Sequence, residues 1–192
     1  MLHVGVVFAD NWAFGPTVLS EPEVVVLKET ALATLREAYA GYNVSFTEGA
    51  DAERVIRVDR GGFMAGMTPI GSRVSRVSLD GTYLSLLVVA GCPSLTTCAA
   101  KTRAELVAAL GRGIGATAAH ELGHQPGLRF CRDSPCAECY DGSKSSTPEH
   151  FFGTKHWSLA AAAMMKRVLP PSPGSLGSQG SPGARGSKNP EP

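Results

Sequence analysis

Apolar residues recur at every fourth position from Leu106 through Leu110, Ile114 and Ala118 to Leu122, a stripe that predicts a long helix with one face against a core. Thr102-Arg103-Ala104-Glu105 has the capping-box form that starts such a helix at about residue 103. Pro126 cannot continue the hydrogen-bond ladder and Gly127 can take a positive φ, so the helix is expected to end just past Gln125 with a sharp turn. A second capping box, Ser20-Glu21-Pro22-Glu23, opens another helix, with Val24, Leu27, Ala31, Leu35 and Ala38 on its buried face and Gly41 closing it.

Shorter patterns fill the space between these helices. Residues 3–8, 43–48, 54–59 and 72–78 are apolar or alternating runs that read as strands, with His3 at an exposed strand end. Residues 83–90 form a continuous apolar run whose period is compatible with strand or helix. The Gly- and Met-rich stretch 61–71 reads as a loop whose methionines pack inward, and 131–155 is loop-rich. Residues 157–169 form a last helix, stopped by Pro170-Pro171, with Trp157, Ala161 and Met164 or Met165 turned to the core. Residues 170–192 are dominated by Pro, Gly and Ser and are expected to be a disordered tail, leaving 1–169 as one domain.

Composition narrows the class. A chain of 192 residues with 43% hydrophobic content can bury one core. A net charge of +1 with 18% charged residues makes no electrostatic case for nucleic acid or an anionic membrane, and no apolar run is long enough for a membrane span. Residues 1–9 lack the basic start and length of a signal peptide, so a cytoplasmic location is expected unless the chain belongs to a longer, secreted precursor. The oligomeric state is not set by the sequence. Cys92 and Cys98 lie six apart, and Cys131, Cys136 and Cys139 cluster beyond the long helix. Two short-loop disulfides with one thiol left over fit an exported domain; the rival reading is a structural zinc site of the three clustered cysteines with His150 or His156.

The chemistry is concentrated at Ala119-His120-Glu121-Leu122-Gly123-His124. Residues four apart share a helix face, so His120 and His124 are able to aim two imidazoles at one metal ion. Glu121 stands beside them as a carboxylate able to take a proton from water activated by that metal. The pair lies opposite the apolar stripe. Four glycines in or near this helix, Gly111, Gly113, Gly115 and Gly123, each cost roughly 1 kcal/mol against Ala. Close approach of a sheet or of the metal site is the expected compensation.

His120-Glu121-x-x-His124-x-x-Gly127 resembles the first eight positions of the metzincin zinc-peptidase motif, HExxHxxGxx(H/D), as found in snapalysin and archaemetzincin-type domains. The motif's third-ligand position is Phe130, Pro126 replaces a usual aliphatic residue, and the Met-turn region, 134–142, carries no Met. The resemblance implies an α/β, zincin-like single domain, with a twisted mixed sheet packed on the active-site helix and a loop-rich C-terminal part. It favours a strand for 83–90 and implies a sheet edge that pairs with an extended peptide. It also implies a zinc endopeptidase acting on peptide or protein substrates through metal-activated water, with His120 and His124 as zinc ligands and Glu121 as general base. A third ligand is then sought downstream. Asp133 and His150 lead that search, followed by Asp141, Glu138, Glu149, His156 and Cys131. The alternatives are a catalytically degenerate metzincin-like binding protein and a protein with only a structural Cys/His zinc site.

Overall fold

The structure, a computed structural model of the chain, describes residues 1–15, 17–62, 64–69, 71–128, 136–142 and 145–169. Asp133, Phe130, Cys131 and the expected tail lie outside them. In chain order the elements are β1 (Leu2–Phe8), β2 (Ala13–Phe14), β3 (Thr17–Val18), α1 (Glu21–Ala38), β4 (Val44–Glu48), β5 (Arg54–Asp59), β6 (Gly66–Met67), β7 (Val74–Ser78), α2 (Leu79–Ala90), α3 (Arg103–His124), α4 (Pro148–Phe151) and α5 (Leu159–Val168). The fold is mixed α/β. Its main sheet has five strands in the order β4-β1-β5-β7-β6, while β2 and β3 form a separate hairpin. The central pairings are parallel, and β6 alone joins antiparallel, along β7 at the sheet edge. No helix among the described residues is long and apolar enough to cross a membrane.

Both predicted capping boxes place their helices. The Glu23 carboxylate accepts from the Ser20 N–H at 2.8 Å, and Glu105 accepts from the Thr102 N–H at 2.7 Å. The α1 and α3 starts are tied together by Arg103, which donates to both Glu23 oxygens and to the Val18 carbonyl. The expected stripe of α3, Leu106, Leu110, Ile114, Ala118 and Leu122, is buried throughout. α1 is capped at Tyr39, two residues before Gly41.

The glycines of α3 answer mainly to helix α1 rather than to a sheet. A Cβ on Gly111 would meet the Leu27 carbonyl oxygen at 2.6 Å, and one on Gly115 would meet that of Ala31 at 2.6 Å. Gly113 faces the Phe151 ring and Gly123 the Leu128 side chain. The backbone contact of α1 with α3 therefore offsets the helix-propensity cost of these residues.

Three local expectations are corrected. Residues 83–90 belong to helix α2, not to a strand. Ser78 caps that helix by accepting from the Gly81 N–H at 2.9 Å, and Gly91, at φ 64°, closes it. These local signals outweigh an apolar run with no diagnostic period. The 61–71 stretch contains strand β6, and its Met64 and Met67 are exposed rather than packed. The segment expected to be loop holds α4, which carries His150 into the interior. Elsewhere the cysteines form two short-loop disulfides, Cys92–Cys98 and Cys136–Cys139. The last helix is slightly shorter than expected, with Ala161 and Met165 buried and Trp157 donating to the Ala38 carbonyl at 2.7 Å.

Candidate metal centre

The two helix histidines are oriented by backbone carbonyls. His120 Nδ1 lies 2.7 Å from the Tyr140 oxygen, and His124 Nδ1 lies 2.6 Å from the Leu128 oxygen. A carbonyl only accepts, so each Nδ1 carries the ring proton and each Nε2 presents a lone pair. These two Nε2 atoms face one another at 3.0 Å. Two lone pairs at that separation repel unless a cation stands between them, and the carbonyl-bound Nδ1–H is the usual support of a metal-ligating imidazole. Two nitrogens bonded to one tetrahedral zinc stand about 3.3 Å apart, so the pair fits such an ion with little movement.

One support is local and the other comes from a distant segment. Gly127, at φ 105°, turns the chain after α3, and the Leu128 N–H bonds back to the Gly123 oxygen at 3.1 Å. That turn brings the Leu128 carbonyl under His124. Tyr140 is held by its N–H to the His156 oxygen at 2.8 Å, while the His156 N–H bonds to the Glu138 oxygen at 2.8 Å. Burial pushes His120 down to about 4; the Tyr140 bond opposes this, and nearby His124 and Lys155 reinforce it. His120 is therefore neutral near pH 7, as a ligand must be.

Glu121 is buried at 3% exposure. Thr68 donates to its Oε2 at 2.7 Å, and the same hydroxyl lies 2.9 Å from the Glu121 carbonyl oxygen. Burial raises the carboxyl pKa, while the Thr68 bond and nearby His124 lower it. Ligand atoms of His120, Glu121 and His124 all lie within 4.8 Å of one another. Edge strand β6 passes directly over the carboxylate at Gly66.

The sequence candidates for a third ligand divide. Asp133 lies outside the described residues. His150 lines the same cavity as His120 and Glu121 but does not join their close group. Its Nε2 instead lies 3.0 Å from the Gly113 oxygen and 3.1 Å from Thr117 Oγ1. Asp141 accepts from the Ser158 N–H and hydroxyl at 2.9 and 2.6 Å, and so holds the residue that caps α5. Glu138 is exposed. A second group able to hold a metal ion is Cys136, Cys139 and His156, with the two sulfurs joined in the disulfide. Sequence reasoning missed the Tyr140 and Leu128 carbonyls, Thr68, Gly66 and Lys155. Only the Leu128 carbonyl had a local signal, the turn at Gly127.

The chain is thus a mixed α/β protein with a partly buried His-Glu-His group that is able to hold a metal ion. No protein-family model matches it, and no curated protein matches it either.

Proposed function

We propose that the chain is a zinc-dependent endopeptidase of metzincin-like type, with His120 and His124 holding the metal and Glu121 as general base. The observation that carries this reading is the 3.0 Å approach of two Nε2 atoms whose Nδ1 partners are backbone carbonyls. A third protein donor completes the ligand set, and Asp133 is the nearest candidate along the chain after the Gly127 turn.

When bound, zinc supplies Lewis acidity towards water and the scissile carbonyl. Glu121, with Oε2 held by Thr68, takes the proton of the attacking water and returns it to the leaving amine. Burial raises the proton affinity of this carboxylate, which favours that exchange. The substrate backbone is held in extended form along the outer edge of β6, whose inner edge is paired to β7. Gly66 lets that backbone approach Glu121, because no side chain intervenes.

The test is zinc content per chain beside peptide hydrolysis. Near one zinc per wild-type chain, lost in His124→Ala, with hydrolysis abolished but zinc retained in Glu121→Gln, is the expected outcome. Zinc retained in His124→Ala would overturn the site. Zinc held on the helix without any hydrolysis would instead leave a catalytically degenerate metzincin-like binding protein.

A second reading rests on a separate observation, the clustering of Cys136, Cys139 and His156 ligand atoms within 4.8 Å. A structural metal there requires the disulfide to be reduced, because the thiolates are the ligands. Zinc bound only after reduction, and lost in Cys136→Ser, would favour it.

A further inference from the structure

The cavity beside the candidate metal centre, about 300 Å³, is lined by His120 and Glu121 together with His150 and Lys155. Lys155 is the sole Lys or Arg among its described lining residues, and it is only 9% exposed. Its Nζ lies 3.4 Å from His150 Nδ1. Because His150 Nε2 faces the Gly113 carbonyl, that nitrogen carries the ring proton and Nδ1 accepts from the ammonium. The imidazole is thus a neutral partner. Burial drives its pKa down to about 3, with Lys155 adding to the shift. Among the described residues no carboxylate forms an ion pair with Lys155. Glu149 and, more weakly, Asp141 attract it at longer range without an ion pair, and Asp141 is already occupied by Ser158.

A buried ammonium whose hydrogen-bond partner among the described residues is a neutral ring carries a desolvation cost that an anion in the same cavity relieves. The position is rigidly set, since the next residue, His156, is hydrogen-bonded through its backbone to Glu138 and Tyr140. Hydroxyls of Thr117, Ser85 and Ser146 line the same space and offer donors to a second carboxylate oxygen. The volume, at the small end of ligand sites, suits one side chain or a chain terminus.

We propose that this cavity receives a carboxylate of the peptide on Lys155, so that substrates with an acidic group beside the cleaved bond are selected. The proposal rests on the peptidase reading for the word substrate, but the anion site stands on its own geometry. The carboxylate comes from an acidic side chain or from the peptide C-terminus, and the two sources are separable by experiment.

The probes are blocked alanine peptides carrying a single Glu or a single Gln, and an all-alanine peptide with a free or an amidated C-terminus. Binding to the full chain is measured calorimetrically and cleavage by mass spectrometry, for wild type, Lys155→Met and Lys155→Glu. Wild type is expected to favour the Glu peptide over Gln, or the free acid over the amide, on the order of tenfold. The preference falls to near unity in Lys155→Met, and Lys155→Glu favours a Lys-containing peptide instead. Equal binding of Glu and Gln peptides and of acid and amide by wild type would overturn the proposal, whether or not the variants fold. Hydrolysis without such preference would leave the peptidase reading intact. Lys155-dependent binding without hydrolysis by zinc-loaded protein would uphold the anion site and sink the peptidase reading alone.

Discussion

Gly66 and Glu121 are in such close contact that a Cβ on Gly66 would meet Glu121 Cγ and Oε1 at 2.6 Å each, and Thr117 Cγ2 at 2.7 Å. Edge strand β6 and the carboxylate of α3 therefore act as one unit. In the proposed peptidase, the absence of a side chain at 66 would set how near an extended peptide comes to Glu121.

Gly66→Ala tests this contact. The residue has no positive φ, so the backbone tolerates alanine, but the Glu121 side chain must move. Displacement of a reacting group by about 1 Å costs roughly a hundredfold in rate. Hydrolysis is expected to fall by that order while zinc content stays unchanged. Undiminished kcat/KM in Gly66→Ala would detach β6 from the active site.

Zinc is expected to raise thermal stability. A ligand at about a hundred times its Kd adds roughly 2.7 kcal/mol, which corresponds to a Tm rise of about 5–10 °C for a chain of this size. The rise is abolished in His124→Ala and reversed by a chelator, as scanning calorimetry would record. A rise of equal size in the variant would locate the metal elsewhere.

Helix contact, rather than propensity, governs Gly115. Alanine gains roughly 1 kcal/mol of helix propensity. Its Cβ, however, meets the Ala31 oxygen and Thr34 Cβ at 2.6 Å each, and overpacking of this kind costs about 1–3 kcal/mol. Gly115→Ala is expected to lower the urea midpoint, and bulkier Gly115→Val to lower it further. Gly41→Ala, with nothing within 4 Å, leaves it near the wild-type value. A stabilised Gly115→Ala would show that α1 and α3 do not approach as described.

Acid is expected to destabilise the fold before most carboxylates titrate. His150 is held at about 3 by burial, and His120 at about 4, against an ordinary value of 6.5. Between those values and 6.5 the unfolded chain binds more protons than the native one, so stability falls as pH drops through that window. Glu121, whose pKa burial raises, works in the opposite direction by favouring the protonated native form at low pH. The net loss is on the order of a few kcal/mol. Urea titrations at pH 7, 6, 5 and 4 are expected to show a slope that is shallower in His150→Gln. An unchanged slope would mean that His150 is not buried as a neutral ring.

Much of the local organisation was legible in the sequence. The two capping boxes, the buried stripe of α3 and the stop at Gly127 all follow from interactions within a few residues, as does the placing of His120 and His124 on one face. The same holds for β1, β4, β5 and β7, whose apolar and alternating runs were recognisable. Helix α2 was misjudged because a continuous apolar run has no period, and its outcome turned on the Ser78 cap and Gly91. Strand β6 is only two residues long, and it exists as a strand because β7 is beside it. The glycines of α3 announced a close approach without naming the partner, which proved to be α1 for Gly111 and Gly115 and the Phe151 and Leu128 side chains for Gly113 and Gly123. Likewise, no spacing rule brings the Tyr140 carbonyl to His120, Thr68 to Glu121 or Lys155 to His150, since each pair joins distant segments. Helix starts, faces and stops depend on neighbours along the chain and were set by the sequence alone. The orientation of the His120 and His124 rings, the hold on Glu121 and the burial of Lys155 depend on which surfaces meet in space, and only the tertiary structure decided them.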